Sequence, residues 1–527
     1  MSESRTEDEG EPMTNAILLP PSPVLQLAPT PAESGELLND DQLGHLRHFD
    51  SISRLPDNDW TGMLQRAPFQ DDGATVRYQL AYAAFALALT HLHRLPAAPG
   101  VFKPVLERLI DKMLLPTVWT YWRDVSQGGG ALNPYIHREA EWDPVGRENI
   151  MYSGYVQSMV ALYTYLFDDR RYEEPESIVF ETGSPFWAGS AHRFAYDRTS
   201  LNENLYWQLV ENGYLGIACQ PNCVFQICIQ PAILGFRLHD LIAGGARADE
   251  ITRGYKRAWE EFGQVDAAGH FTCFVQYDLK NAIVAPDITV NAWLGTLLNM
   301  WDPELVRDRY VDLIAKDLEE AEPGQFFVAQ PKGSLEAELM SPMAWVAPWA
   351  SEVGDQSTLD GLLAYADAHL GREWRNGGLF YRRNDEASDE RGRATLVDPL
   401  TGNVMLGYSR LNIPNGLWRM YNQPLDREHH LMPALVGVAD DVDVSQAVFD
   451  RRAGRLTFTV QRRADIPQHG AATTGTVEIG RLSGHGPWTL RQGDRTIAAG
   501  QHGDRFVVAS PTEATTFTLT LDGGDRD

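Results

Sequence analysis

The stretch Gly216-Ile-Ala-Cys219-Gln-Pro-Asn222-Cys223-Val-Phe225-Gln-Ile-Cys228-Ile-Gln-Pro-Ala-Ile-Leu-Gly-Phe-Arg-Leu-His-Asp240 decides how the chain is to be read. Phe225, Cys228, Ile229, Ala232, Ile233 and Phe236 recur at helical spacing, and Asn222 is placed to accept a hydrogen bond from the first free amides. This predicts a buried helix over about 222–243, with Cys219 just ahead of it and Cys228 about two turns inside. The plain account of such cysteines is small apolar filling. A zinc site is disfavoured, because Cys219-x3-Cys223-x4-Cys228 lacks a second ligand pair at a usual spacing and Cys273 stands alone. A cysteine ahead of a helix can also do chemistry, since the dipole there favours a thiolate.

Outward from this stretch the same apolar periodicity returns. Tyr78, Ala81, Tyr82, Phe85 and Leu89 share one helical face, with Asp72 in place to cap it. A helix over about 102–115 follows, then one over about 147–167 with Ile150, Tyr155, Met159, Tyr163 and Leu166 as its stripe and Met151 beside it. Further helices are predicted near 40–49, 200–213, 247–262, 288–300, 303–319, 342–353, 357–370 and 412–421. Paired helices alternating with loops rich in Trp, Gly and Asn give a mainly α protein, an α/α toroid with two rings of helices around a cavity. Past residue 440, segments such as Arg455-Leu-Thr-Phe-Thr-Val460 alternate with period two between Gly-rich turns, so the C-terminus is a small antiparallel β unit. The division is a Pro-rich arm over 1–40, disordered or wrapping, a helical catalytic domain over 41–435, and the β unit over 436–527.

With 527 residues, 43% of them hydrophobic, the chain can bury a large core. A net charge of -27 argues against binding nucleic acid or an anionic membrane, which need clustered Lys and Arg. Four cysteines make no disulfide framework, Met1 to Asn15 has no apolar run, and no stretch of eighteen apolar residues occurs. The expectation is a soluble, cytoplasmic protein with reduced thiols.

Walker loop, dinucleotide fingerprint and His-Glu-x-x-His helix are all missing from the sequence. Asp168-Asp-Arg-Arg-Tyr172-Glu-Glu has a tyrosine where an aspartate-rich magnesium motif needs its third carboxylate, and reads as a charge-paired helix end. What remains is an acid–base set without a metal: Asp71 or Asp72, Tyr78, Tyr155, Cys219 and Cys228, with Glu148, Asp278 and Glu338 as further carboxylates. In a dry aromatic cavity a carboxyl pKa rises, which lets the group protonate a hydroxyl.

Phe69-Gln-Asp-Asp72 before Arg77-Tyr78-Gln-Leu-Ala-Tyr82, then Glu148-Asn-Ile-Met151-Tyr-Ser-Gly154, then Cys219 and Cys228 before Leu234-Gly-Phe-Arg-Leu-His-Asp240, resemble the linalool dehydratase-isomerase family over about residues 40–430. The resemblance implies an (α/α)6 barrel that interconverts tertiary and primary allylic monoterpene alcohols, or dehydrates the tertiary one, without a cofactor. It makes Asp72 the acid or base at the hydroxyl and Tyr78 its hydrogen-bonding partner. Met151 then lines the pocket, Glu148, Phe225 and Tyr82 extend the wall, and Cys219 and Cys228 handle protons or a transient adduct. It also implies a ring-shaped homo-oligomer in which Asp72 and Tyr78 reach the cysteines of a neighbouring subunit. This chain departs by carrying Tyr155 where the family has histidine, and a phenol is a poorer base at neutral pH than imidazole.

Three further readings stand beside this one. A metal-independent terpenoid cyclase would keep the protonation step and let another alkene capture the cation. A carbohydrate-active toroid would use paired acids such as Asp72 with Glu148 or Glu338, with Trp374, Asn376 and Trp418 on the sugar. A toroid that only binds an apolar ligand predicts that Asp72, Tyr78 and the cysteines do not converge.

Overall fold

Helices buried on every side alternate along this chain with helices buried on one side only, and that alternation decides the architecture. The computed structural model describes residues 27–64, 75–184, 186, 191–329, 340–463, 475–500 and 503–522. Val76–His93, Ile150–Phe167, Gln226–Ala243, Ile288–Leu298, Met343–Val353 and Leu406–Leu411 are buried along most or all of their length. Asp40–Ser53, Pro99–Met113, Arg198–Glu211, Arg247–Phe262, Pro303–Ile314 and Gln356–His369 each keep a solvent-facing side. The two kinds follow one another strictly in sequence.

Helix 76–93 packs on 150–167, which packs on 226–243, and the succession continues through 288–298 and 343–353 to 406–411. Helix 406–411 returns to 76–93, so the circuit closes. The amphipathic helices back onto it, most against the buried helix or helices nearest in sequence, whereas 40–53 packs on 406–411 and on helix 99–113. Close approach within the circuit is built in by small residues. A Cβ on Gly235 would meet Gln157 Cδ at 2.7 Å, so helices 150–167 and 226–243 fit only with glycine there.

The C-terminal strands form two antiparallel sheets. Ala434–Val438, Thr476–Gly480 and Phe506–Ala509 make one, and Val442–Asp450, Arg455–Arg462, Thr515–Leu521, Trp488–Gln492 and Arg495–Gly500, in that order, make the other. Leu435 N–H donates to Ala97 O (2.8 Å) and Ala97 N–H to Ala447 O (3.1 Å), which moors both sheets to the turn between helices 76–93 and 99–113. Residues 27–39 run along the same edge, with Leu38 N–H on Ser445 O (2.9 Å) and Gln446 Nε2 on Gly35 O (3.0 Å).

Several expected boundaries move. Cys223–Phe225 is a strand paired antiparallel with Thr272–Gln276, so the helix starts at Gln226 and Cys228 sits in its first turn instead of two turns inside. Asn222 is no helix cap: it takes a left-handed conformation (φ 65°) and its side chain accepts from Asp278 N–H at 2.6 Å. Helix 76–93 has Thr75 at its cap position with no side-chain cap bond, and Asp72 lies outside the described residues. The helix expected from Arg147 begins at Ile150, because Glu148 and Asn149 both hold positive φ. That expected to reach residue 319 stops at Ile314, since Leu318–Glu322 pairs with Gln325–Val328.

Candidate functional site

The first two turns of helix 76–93, the first turns of 150–167, and the loop and first turn leading into 226–243 meet inside the circuit. Asn149, at the head of helix 150–167, is buried and accepts from Tyr121 O–H (2.6 Å), while Ile150 N–H reaches Ala218 O (3.4 Å), which fixes the cysteine loop against that helix. Cys219 N–H in turn donates to Cys223 O (3.0 Å). The Cys219 and Cys228 thiols are hydrogen-bonded to each other.

Tyr78 O–H donates to Met151 Sδ at 3.5 Å, and the Arg77 guanidinium lies 3.7 Å from the same sulfur. Arg77 also stands over the rings of Tyr121 and Tyr78, 4.2 and 4.9 Å from their centroids, where the π faces offset part of its desolvation. Tyr155 O–H donates to Tyr82 Oη (3.1 Å), and Trp293 Nε1–H donates to the same oxygen (2.8 Å). Around these hydroxyls, Tyr78 meets Tyr155 and Trp293 edge-on, Tyr82 meets Trp345 edge-on at 4.9 Å, and Trp293 stacks flat on Trp345 at 4.3 Å. Tyr78, Tyr82, Tyr155, Met151, Cys219, Cys228, Trp293 and Trp345 are all buried.

Burial governs the protonation states. It pushes the Cys219 thiol well above its ordinary value, and the Cys228 hydrogen bond adds to that. Burial likewise raises the Tyr78 phenol, against the opposing pull of Arg77, with Cys228 and Cys219 close enough to add to the rise. Tyr155 is raised by burial and then by its neighbours Tyr82 and Tyr78. At neutral pH these groups hold their protons, so the cluster offers hydrogen-bond donors and polarisable sulfur within an aromatic wall.

Six of the nine residues singled out from the sequence therefore come together: Tyr78, Tyr82, Met151, Tyr155, Cys219 and Cys228. Tyr78 lies near enough to Cys228 and Cys219 of its own chain for them to act on its phenol. Glu148 does not join them. Its carboxylate pairs with Arg138, and it lines a surface groove of about 480 Å³ with Gln208 and Asn222. Phe225 is half-buried and stacks on Phe274 at 4.5 Å, with no ring contact to the tyrosines among the described residues. Asp72 and Glu338 lie outside the described residues. Asp278 sits on the exposed tip of the hairpin that follows Gln276. Trp374, 45% exposed, packs over Gly44 on a peripheral helix, so it forms no platform with the tyrosines. Asp168 to Glu174 is taken up by ion pairs, among them Lys103 with Asp169 (2.7 Å) and Arg170 with Glu173 (3.0 Å).

Sequence reasoning missed Trp293, Trp345 and Glu352. The signal was present in the segments 288–298 and 343–353, which are apolar on every side and so face the inside of the circuit. Glu352 is completely buried, and burial raises its pKa while four donors pull it down.

A closed circuit of buried helices backed by amphipathic ones, with phenols and thiols at its centre, defines a mainly α protein built around an internal polar–aromatic cluster. The chain belongs to the linalool dehydratase/isomerase family, whose model matches residues 77–387. Among solved structures, an inactive variant of an α-1,6-mannanase of Salegentibacter sp. HEL1_6 in complex with α-1,6-mannotriose is 13% identical, with 71% of this chain and 98% of that one covered and a TM-score of 0.40. The Lin0763 protein from Listeria innocua is 12% identical over 71% and 97% of the two chains, TM-score 0.37. An unsaturated glucuronyl hydrolase specific for heparin is 10% identical over 73% and 97%, TM-score 0.38. Scores this low leave fold and function to be argued from the chain's own contacts. No helix among the described residues is long and apolar enough to cross a membrane.

Proposed function

We propose that the protein is a cofactor-independent lyase or isomerase acting on a terpenoid allylic alcohol, held at the centre of an (α/α)6 toroid. The observation that carries this reading is the convergence of Tyr78, Met151, Tyr155, Tyr82, Cys219 and Cys228 in one buried aromatic cluster. Membership of the linalool dehydratase/isomerase family supports it. Protonating the substrate hydroxyl turns it into water as a leaving group, and the allylic cation left behind is attracted to the faces of Trp293, Trp345 and the tyrosines, each contact contributing about 0.5–2 kcal/mol. Loss of a neighbouring C–H proton gives the diene, and return of water at the other end of the allyl system gives the isomer. Because burial keeps Cys219 protonated, its thiol enters this scheme as a hydrogen-bonding group that holds the alcohol oxygen, with Cys228 beside it.

The test is turnover by the chelator-treated full chain. Linalool, geraniol, nerolidol and longer prenyl alcohols are incubated beside oligosaccharides, and products are read by mass spectrometry. Dienes or rearranged alcohols are expected; turnover of sugars alone would sink the reading. Cys219→Ala is expected to lower kcat about a hundredfold, the scale of losing one positioned hydrogen-bond donor at the reacting oxygen.

A further inference from the structure

Within the buried cluster the tyrosines differ in what their oxygens receive. Tyr78 gives its proton to a thioether, a weak acceptor, and Tyr155 gives its proton to Tyr82. Tyr82 Oη alone accepts from two donors, Trp293 Nε1–H at 2.8 Å and Tyr155 O–H at 3.1 Å. A phenol that accepts twice keeps its own O–H for a third direction, and among the described residues no acceptor takes it.

We infer that Tyr82 is the acid that protonates the substrate hydroxyl, and that Tyr155 serves Tyr82 instead of standing in for the missing histidine. This rests on the proposed function and sharpens it, because it names the group that gives up the first proton. Two fixed donors aimed at one oxygen stabilise the phenolate left when the proton departs, as an oxyanion hole does. Burial raises the Tyr82 phenol above its ordinary value, and the pull of these two donors offsets part of that rise. With burial keeping it neutral, the Tyr155 phenol is a very weak base toward substrate, and its O–H is directed at Tyr82. Tyr155 is thus a donor that prepares its neighbour one helix away.

The steps balance. The Tyr82 O–H bond breaks as a new O–H bond forms on the alcohol; the C–O pair leaves with water, giving an allylic cation and the Tyr82 phenolate. The phenolate then takes a proton from the carbon beside the cation, the C–H pair becomes the new double bond, and Tyr82 is restored. For isomerisation the phenolate takes the proton from the water that adds back. The cation forms against the edge of the stacked Trp293–Trp345 pair, whose Trp345 ring stands edge-on to Tyr82, which keeps it beside the base that quenches it.

The experiment compares three forms of the full chain on linalool and geraniol. Tyr82→Phe is expected to lose about 10²–10⁴-fold in kcat with KM little changed, the range for removing a positioned general acid. Tyr155→Phe, which leaves the Trp293 donor in place, is expected to lose about tenfold, one pKa unit in the phenolate it supports. Replacing Tyr82 by a fluorotyrosine lowers the phenol pKa, so the alkaline fall in kcat is expected to move to lower pH, a shift that a purely structural hydroxyl would not produce. That replacement carries the test alone if Tyr82→Phe does not fold. Tyr82→Phe within tenfold of wild type, or a fluorotyrosine profile that stays in place, overturns the assignment while the proposed function stands. A wild-type protein inert toward every terpenoid alcohol overturns both.

Discussion

Two buried polar clusters sit on the helix circuit, and they are satisfied to opposite degrees. Glu352, near the end of helix 343–353, accepts from Asn299 Nδ2 and Asn412 Nδ2 at 3.0 Å and from the Leu417 and Trp418 amides at 3.0 and 3.2 Å. Those amides open the helix Gly416–Asn422, so one carboxylate ties four segments of chain together. In the tyrosine–cysteine cluster, by contrast, protons point at sulfur, at another hydroxyl, or at a direction with no acceptor among the described residues. A saturated carboxylate holds architecture; loosely satisfied hydroxyls and thiols are available for chemistry. The same desolvation raises Glu352 and Tyr78, yet only the first has its cost offset by a full set of donors.

The contrast can be broken at either end. Glu352→Ala leaves four buried donors without an acceptor and is expected to cost about 4 kcal/mol of unfolding free energy, read by urea denaturation; an unchanged midpoint would mean that the tie is ornamental. Cys219→Ala, on the other side, is expected to cost about 1 kcal/mol of stability or less, because it removes only a small buried sulfur, while costing about a hundredfold in turnover. If Cys219→Ala unfolds the protein instead, the division between the clusters fails.

Acid should loosen the architecture first. Burial holds His48 and His93 down to about 4 and His91 to about 3. Unfolded, each titrates near 6.5, so between pH 6.5 and 4 the unfolded chain binds more protons and stability falls as pH is lowered. Each unit of pKa difference is about 1.4 kcal/mol, so a loss of about 3 kcal/mol per histidine is expected across that window, with His93→Gln flattening the slope. The smallest effect concerns packing. Gly235→Ala forces Gln157 aside and is expected to cost about 1–3 kcal/mol, with kcat reduced if the 150–167 helix shifts with it.

The helices were legible because their burial is written in their composition. Arg247–Phe262 shows a one-sided stripe of Ala248, Ile251, Tyr255 and Trp259, and its bounds agree with the expected 247–262. Cys223-Val-Phe225 was not legible, since three apolar residues fit helix or strand equally and only pairing with Thr272–Gln276 decides. The meeting of Tyr78, Met151, Tyr155 and the cysteines was legible through the family resemblance, not through spacing. Glu148 misled because its neighbours in sequence belong to the cluster while a positive φ turns its side chain to Arg138. Trp293 escaped because a single indole N–H gains its meaning only from an oxygen 211 residues away.

Tyr82 lies on the first buried helix and Tyr408 on the last, and their rings are 6.4 Å apart. The seam of the circuit thus runs through the proposed reaction centre. A chain cut short before residue 406 lacks one wall of that centre, so activity is expected only once the last inner helix docks against the first.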